Sequence, residues 1–240
     1  MKTIITQKMV LDKHNIVLDA LEQTYSKYFS VFGLNLIPIP NTLESVEDYL
    51  ISSGAERIII SGGNSIMLNF REKTKDLNGI DTRDRDNTEA NIIKYAINKN
   101  IPVLGICRGA QFINTYFGGG VLRDLKNYLN GSVEHVATKH KISISNIITA
   151  RIKVSDQYIV NSYHDDGFTR KELSSELIDF AVAQDGIIEG FYHKSKPIMG
   201  VMWHPERDGV GLSCFSRDLI NIFINNEFNY AQGKHSYKRK

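Results

Sequence analysis

The segment VLGICRGAQF at residues 103–112 places a cysteine between two glycines, directly after an apolar run. The run before Cys107 is typical of a buried strand, and residues 110–117 have the apolar content of a helix. A strand, a tight bend and a helix in succession are the setting of a nucleophile elbow, here with cysteine in place of serine. Gly105 and Gly109 would let the strand and the helix approach closely, and the bend would lift the thiol off the sheet edge.

A buried structural cysteine is the alternative interpretation of this stretch, because a lone cysteine usually packs as a small apolar side chain. Two features favour chemistry instead. The helix after the bend would direct its N-terminus at Cys107 and favour the thiolate, and the backbone N–H of Arg108 would face the same point. A cysteine nucleophile also needs a base, so the function of the elbow depends on a base elsewhere in the chain.

The segment GVMWHPE at residues 200–206 supplies the candidate base at the end of another apolar strand. Residues two apart in an extended chain face the same side, so His204 and Glu206 can project together, with Pro205 stiffening the link. A carboxylate beside an imidazole sets its tautomer and stabilises its protonated form. We therefore predict a catalytic triad of Cys107, His204 and Glu206.

Composition excludes several other classes of protein. The chain has 240 residues, is 42% hydrophobic and 23% charged, and carries a net charge of +2. This charge is too small to indicate a nucleic-acid or membrane partner. Two cysteines exclude a disulfide framework and fit a reducing compartment. Without a signal peptide at the N-terminus or a membrane-spanning run, we expect a cytoplasmic protein.

Short apolar runs alternate with amphipathic segments in the first half, which predicts an α/β fold with a parallel sheet covered by helices. The second half has strands with little helix between them, which predicts an antiparallel portion. The predicted strands cover residues 3–6, 35–38, 57–60, 102–106, 141–148, 151–154, 158–160, 180–183, 187–192 and 198–202. The predicted helices cover residues 17–32, 42–52, 86–98, 110–117 and 218–230.

The remaining cysteine and histidines carry no catalytic motif. Cys214 is expected to be structural. His135 and His140 are five residues apart with no thiol or carboxylate pattern typical of zinc, so we expect a surface loop around Glu134 and His135 and no metal site. Three further histidines are expected on the surface: His14, His193 and His235.

Three motifs resemble those of the class I glutamine amidotransferase superfamily: GICRGAQ at residues 105–111, VNSYH at 160–164 and VMWHPE at 201–206. The arginine after the cysteine resembles the γ-glutamyl hydrolase branch, peptidase C26. Secondary matches are Arg85-Asp86 with Glu89, GGGVLRDL at residues 118–125 and HKI at 140–142. The resemblance spans residues 55–206 and implies a flavodoxin-like three-layer sandwich with a mostly parallel central sheet and a small antiparallel portion. We expect residues 1–240 to form a single domain.

The resemblance also implies roles for individual residues. Cys107 would be the nucleophile, His204 the acid and base, and Glu206 its orienter. Gly63 and Arg108 would supply the oxyanion-hole amides. The glutamyl end of the substrate would meet Gln111, Asn161, Ser162, Tyr163 and His164. Relatives often have a second histidine where this chain has Asp165 and then Asp166, so the acceptor side of the pocket is expected to differ.

The implied reaction is cysteine-dependent hydrolysis of a small-molecule γ-glutamyl substrate through a thioester, without a cofactor. GABA-like amines, ammonia and a nucleotide phosphoramidate remain open as leaving groups, and so do a homo-oligomer and a synthetase partner that receives ammonia. An inactive relative or a redox sensor would not need His204 and Glu206 in register. A phosphate would call for cationic donors, for which the candidates are Arg71, Lys73, Lys75, Arg83 and Arg85; a solvated charged loop is the alternative interpretation of these.

Overall fold

The computed structural model describes residues 1–67, 79–129, 133–145, 152, 155–208 and 214–228. Its strands are β1 (Lys2–Thr6), β2 (Lys8–Leu11), β3 (Val17–Ala20), β4 (Asn35–Ile39), β5 (Arg57–Ile60), β6 (Val103–Ile106), β7 (Thr138–Ile144), β8 (Ser155–Ser162), β9 (Leu177–Ala183), β10 (Ile188–His193) and β11 (Ile198–Val201). Its α-helices are α1 (Gln23–Ser30), α2 (Val46–Ser53), α3 (Arg83–Lys99), α4 (Arg108–Tyr116), α5 (Leu125–Tyr128) and α6 (Cys214–Asn225).

Nine of the described strands form one sheet in the order β4-β1-β5-β6-β11-β10-β9-β7-β8. The five strands from β4 to β11 are parallel, and each later neighbour is antiparallel to the one before it. The α/β prediction is therefore confirmed, with the antiparallel strands contributed by the second half of the chain. Within the described ranges, every helix is too short or too polar to cross a lipid bilayer.

Helices cover both faces of the sheet and make three layers. Side chains alternate along a strand, and in β5 Ile59 packs in the cluster that contains α1 and α6, whereas Ile58 and Ile60 pack in the cluster that contains α2, α3 and α4. All three isoleucines are fully buried. This two-sided burial explains why the parallel strands have unbroken apolar sequences.

The helix predicted at residues 17–32 is wrong in its first part, which forms a hairpin with β2. The turn has a polar cause. Asp12 Oδ1 accepts hydrogen bonds from the backbone N–H groups of His14 and Ile16 at 2.8 and 2.9 Å, and Asn15 adopts a positive φ of 61°. An aspartate that bonds the backbone ahead of it favours a turn over a helix, and α1 begins only at Gln23.

Two further predictions need a boundary correction or lie outside the described residues. The last helix begins at Cys214 and ends at Asn225, earlier at both ends than the predicted 218–230. Asn226 has a positive φ of 54°, a conformation that ends helices. The strand predicted at 151–154 lies, apart from Ile152, outside the described residues.

The bend between β6 and α4 is held by very close packing. A Cβ added to Gly109 would lie 2.0 Å from the carbonyl oxygen of Ile60, and one added to Gly105 would lie 2.6 Å from Ile113 Cδ1. Neither position has room for a larger residue. The added Cβ would meet backbone of β5 at Gly109, and at Gly105 it would also lie 2.8 Å from the backbone of Gly109. The elbow therefore requires glycine for space at these two positions.

We expect Gly109→Ala to lower the free energy of unfolding by more than about 3 kcal/mol, because α4 would have to move away from β5. Gly120→Ala is the matched control, since a Cβ there meets only the Glu172 side chain at 3.4 Å. The control should change stability by less than about 0.5 kcal/mol. Urea denaturation of both variants measures this, and equal stability of the two would contradict the packing argument.

Candidate active site

Cys107 lies at the sharp turn between β6 and α4, with φ 53° and ψ −111°. A positive φ is rare for a residue with a Cβ, and here the surroundings impose it. The Cys107 N–H donates to Val201 O at 2.8 Å, and the Cys107 carbonyl accepts from Ala110 and Gln111 at 2.9 and 3.1 Å. The side chain is 7% exposed at the N-terminus of α4, as the elbow pattern predicted.

His204 and Glu206 lie at the end of the neighbouring strand, β11, whose Val201 is paired with Ile106 of β6. His204 Nδ1 is 2.6 Å from Glu206 Oε1. The pairing differs in one detail from the prediction, because residues Pro205–Arg207 form a 3-10 turn rather than an extended chain. The turn still places the carboxylate of Glu206 within hydrogen-bond distance of the imidazole Nδ1.

Cys107 lies close enough to His204 to shift the pKa of its imidazole. Burial acts to lower the pKa of His204, but the charge and hydrogen bond of Cys107, together with Glu206, raise it to about 10. Since Nδ1 faces Glu206, the other ring nitrogen, Nε2, is left for the sulfur. The site therefore contains a thiol, an imidazole and a carboxylate, the three groups that the sequence analysis predicted as a triad.

Asn161 holds the backbone of His204 from both sides. Its Oδ1 accepts from the His204 N–H at 2.9 Å, and its Nδ2 donates to the His204 carbonyl at 2.7 Å. Ser162 also bonds within the protein, donating from Oγ to His135 O at 2.6 Å. In the structure both side chains hold neighbouring loops, and their predicted contact with a glutamyl group stays a prediction.

The other predicted contact residues lie around His204. Gln111 donates from Nε2 to Asp166 O at 2.8 Å. Tyr163 is 44% exposed, with its ring edge-on to His204 at 5.7 Å between centroids. The same ring lies 4.7 Å below the Arg207 guanidinium. Tyr163 therefore covers the imidazole at the surface of the site.

The loop that contains Gly63 is ordered from behind by Arg85. The Arg85 guanidinium donates to the carbonyls of Ser61, Gly62 and Gly63 at 2.8, 3.1 and 2.8 Å. The Gly62 N–H donates to the Tyr25 hydroxyl at 2.9 Å. With three carbonyls turned toward one guanidinium, the Gly63 amide, at φ +84°, donates no hydrogen bond among the described residues.

Arg85 and Arg108 belong to a buried network with Asp86 and Glu89. Arg85 Nε lies 2.9 Å from Glu89 Oε1, and Arg108 pairs with both Glu89 and Asp86. All four side chains are at most 2% exposed. Two cations thus balance two anions in the interior. The Arg108 side chain points into this network, so only its backbone amide is available at the elbow.

This network bears on the candidates for phosphate binding and shows what the sequence analysis missed. Arg85 is not a phosphate donor, because it is fully buried, whereas Arg83 pairs with Asp81 at the surface. Arg71, Lys73 and Lys75 lie outside the described residues. The role of Tyr25 was not predicted. The signal for the network was the spacing of Arg85 and Glu89, one helical turn apart on the same helix face.

Two histidines expected on the surface are buried. His135 is 3% and His193 4% exposed. His135 Nε2 is 2.8 Å from Asp185 Oδ2, and His193 Nδ1 accepts from the backbone N–H groups of Ser195 and Lys196. His14 is exposed as predicted, and His235 lies outside the described residues. Neither buried position was visible in the sequence, because the partners are distant or on the main chain.

Comparison with known proteins places the fold and these motifs in one family. The Peptidase C26 family profile matches residues 3–206. A glutamine amidotransferase-like protein of Lactococcus lactis is 30% identical over 85% of this chain and 87% of its own. The γ-glutamyl-CDP-amidate hydrolase of Campylobacter jejuni is 30% identical over 85% and 89%.

Other relatives are glutamine-hydrolysing. The glutamine-hydrolysing GMP synthase subunit of Thermoplasma acidophilum is 29% identical over 80% of both chains. Among solved structures, a glutamine amidotransferase of Thermotoga maritima is 16% identical with a TM-score of 0.59, covering 85% of this chain and 76% of its own. This structural likeness shows the same fold.

We expect Arg85→Met to lower the free energy of unfolding by about 3–5 kcal/mol, because it leaves buried carboxylates uncompensated. Arg83→Met is the matched control, since Arg83 is 67% exposed and pairs only at the surface; its effect should be small. Chemical denaturation of both variants provides the measurement. A loss as small for Arg85→Met as for the control would contradict the role of the network.

Proposed function

We propose that this chain, which belongs to the peptidase C26 family, hydrolyses a γ-glutamyl amide or phosphoramidate through a γ-glutamyl thioester on Cys107. His204 acts as acid and base, and Glu206 orients it. The observation that carries the proposal is that an elbow cysteine and an imidazole follow two paired strands, with the imidazole Nδ1 2.6 Å from a carboxylate. The family profile supports a hydrolase.

The proposed reaction begins with attack of the Cys107 thiolate on the γ-carbonyl carbon, which forms a C–S bond and places negative charge on the carbonyl oxygen. The backbone N–H groups of Gly63 and Arg108 receive that charge, each contributing on the order of 3 kcal/mol. His204 donates a proton to the departing nitrogen as the bond between the γ-carbonyl carbon and that nitrogen breaks. His204 then takes a proton from water, which attacks the thioester and releases glutamate and the thiolate.

The loop behind the proposed oxyanion hole supports this chemistry because it is ordered before substrate arrives. Arg85 holds three consecutive carbonyls, and Tyr25 holds the Gly62 amide. Burial raises the pKa of Tyr25 well above its usual range, so the phenol stays neutral. Preformed donors of this kind need no reorganisation when charge develops.

Two cations beside the site favour an anionic leaving group. Lys8 packs on the proposed oxyanion loop, where a Cβ on Gly63 would lie 3.0 Å from Lys8 Cδ. Lys8 and Arg207 share one carboxylate, that of Glu22, at 3.1 and 2.9 Å. Two cations and one anion leave these three side chains with a net positive charge. Each of them is a quarter to a third exposed. Phosphate or carboxylate oxygens are suitable partners for this charge.

The best-supported leaving group is CDP-amidate, because the Campylobacter jejuni relative with that activity matches nearly the whole chain. The proposed setting is the synthesis of phosphoramidate groups on capsular polysaccharide. A γ-glutamyl-GABA-type substrate is the alternative with the same anionic character. A glutaminase subunit that delivers ammonia to a synthetase partner is a further candidate, which the relatives from GMP synthase favour.

The first test addresses the nucleophile. We expect Cys107→Ala to reduce turnover by a factor on the order of 10⁴ or more, with the fold intact by circular dichroism. A glutamine-like diazoketone should add its mass to the wild-type chain and not to Cys107→Ala. Glu206→Gln should lower the rate less than His204→Ala.

The matched control for the cysteine is Cys214→Ser, which removes the other thiol of the chain. This variant should keep wild-type turnover and still take up the diazoketone. Wild-type rates in Cys107→Ala, or adduct formation at Cys214, would contradict the mechanism.

The second test addresses the leaving group. We expect the isolated chain to release glutamate from γ-glutamyl-CDP-amidate with a higher kcat/KM than from γ-glutamyl-GABA or glutamine. Lys8→Met should raise KM for the two anionic substrates about tenfold, the equivalent of about 1.4 kcal/mol, and should leave KM for glutamine within about twofold.

Lys27→Met, at an exposed position on α1, is the control and should change none of these values. A preference for γ-glutamyl-GABA would replace CDP-amidate by the alternative. Glutamine hydrolysis that depends on a second protein would instead support the ammonia-delivering role.

A further inference from the structure

Three histidine rings converge on one oxygen of a fully buried carboxylate, on the antiparallel side of the sheet. Glu189 of β10 is 0% exposed. Its Oε1 lies 3.2 Å from His140 Nε2, 3.3 Å from His164 Nε2 and 3.5 Å from His135 Nδ1. The four residues come from β7, the segment before it, the segment after β8, and β10.

These close approaches lack good hydrogen-bond geometry. Within the part of the chain that is described, both oxygens of Glu189 and all three facing nitrogens have no hydrogen-bond partner. An unpaired buried carboxylate is costly, and native interiors rarely keep several such atoms together. The cluster therefore has polar atoms directed at a common point with no group between them.

In two of the rings, the nitrogen that faces away from Glu189, here called the outer nitrogen, lies beside a hydrogen-bond acceptor, and this contact sets the tautomer. His135 Nε2 is 2.8 Å from Asp185 Oδ2, and His164 Nδ1 is 3.1 Å from Asp166 O. Both partners are acceptors, so these outer nitrogens carry the protons. In a neutral ring the inner nitrogen then presents a lone pair to the carboxylate. Metal-binding histidines are held by acceptors in this way.

The spacing also fits a metal ion. Zn–N and Zn–O bonds of about 2.0–2.1 Å give tetrahedral edges of about 3.3–3.4 Å, close to the measured 3.2, 3.3 and 3.5 Å. One donor atom each of His135, His164 and Glu189 lies within 4.8 Å of the other two.

We propose that His135, His164 and Glu189, with His140 beside the same carboxylate, form a site for a divalent transition metal ion, with Zn²⁺ as the expected occupant. Imidazole and carboxylate donors are suited to zinc. A bound cation would also provide the lone pairs and the buried carboxylate with their missing partner. The site is separate from the proposed thioester chemistry and does not depend on it.

Such an ion would tie the loops around the catalytic histidine to the sheet. His164 adjoins Tyr163, which covers His204, and the same Asp166 carbonyl meets both His164 and Gln111. The metal would therefore stabilise the wall of the pocket from behind, and its loss should lower the melting temperature.

The test uses the full chain, stripped with a chelator and titrated with Zn²⁺ and with Co²⁺. We expect one ion per chain and a higher Tm for the zinc-loaded protein. Co²⁺ should give the intense visible absorption of tetrahedral coordination. Glu189→Gln and His135→Ala should lose tight binding, and Asp185→Asn should weaken Zn²⁺ affinity about 10–100-fold through its effect on His135.

His193→Asn is the matched control, because His193 is a buried histidine outside the cluster whose Nδ1 only accepts backbone hydrogen bonds. It should bind Zn²⁺ like the wild type. The proposal is overturned if the stripped wild-type chain binds no Zn²⁺ at micromolar concentration, or gives only an octahedral Co²⁺ spectrum. Either outcome would assign the cluster to protonated histidines paired with Glu189. Both outcomes are measured on the wild-type chain, so they remain decisive even if a variant fails to fold.

Discussion

Three neighbouring parallel strands, β5, β6 and β11, end at the same edge of the sheet, and this alignment positions the Gly63 loop, Cys107 and His204. The loop with Gly63 follows β5, Cys107 follows β6, and His204 lies shortly after β11. Parallel strands present their carboxyl ends together, so residues far apart in sequence become neighbours. The close contact of Gly109 with Ile60 then fixes the distance between the first two of these loops.

Charge burial beneath the loops adds rigidity that apolar packing would not provide. Arg85 reaches the carbonyls of three consecutive residues while pairing with Glu89. Hydrogen bonds directed at backbone groups specify one loop conformation, whereas an apolar contact allows several. The energetic cost of burying these charges is offset because cations and anions alternate within the network.

The candidate metal site repeats this arrangement on the antiparallel side of the sheet. Glu189 lies on β10, next to β11, and its backbone carbonyl accepts from Met202 at 2.8 Å. The segment that leads to His204 is thus bonded on one side to the strand of Glu189 and on the other to Asn161. Polar networks on both sides of His204 leave its backbone little freedom to move.

Elements whose signals are local could be predicted from the amino-acid sequence. The apolar runs predicted the parallel strands, the two glycines around Cys107 predicted the elbow, and the His-Pro-Glu run predicted the His204–Glu206 pair. The hairpin at residues 8–20 was missed because it depends on one aspartate bonding backbone ahead of it. Local spacing is enough where a single strand or turn sets the geometry.

Which polar side chains are buried together depends on contacts between distant parts of the chain. His135, His140, His164 and Glu189 are separated by up to 54 positions in the sequence numbering and meet because β7, β8 and β10 lie in one antiparallel region. Likewise, Asn161 bonds the backbone of His204, 43 positions away in the sequence. Such contacts depend on strand order and register, which no short stretch of sequence encodes.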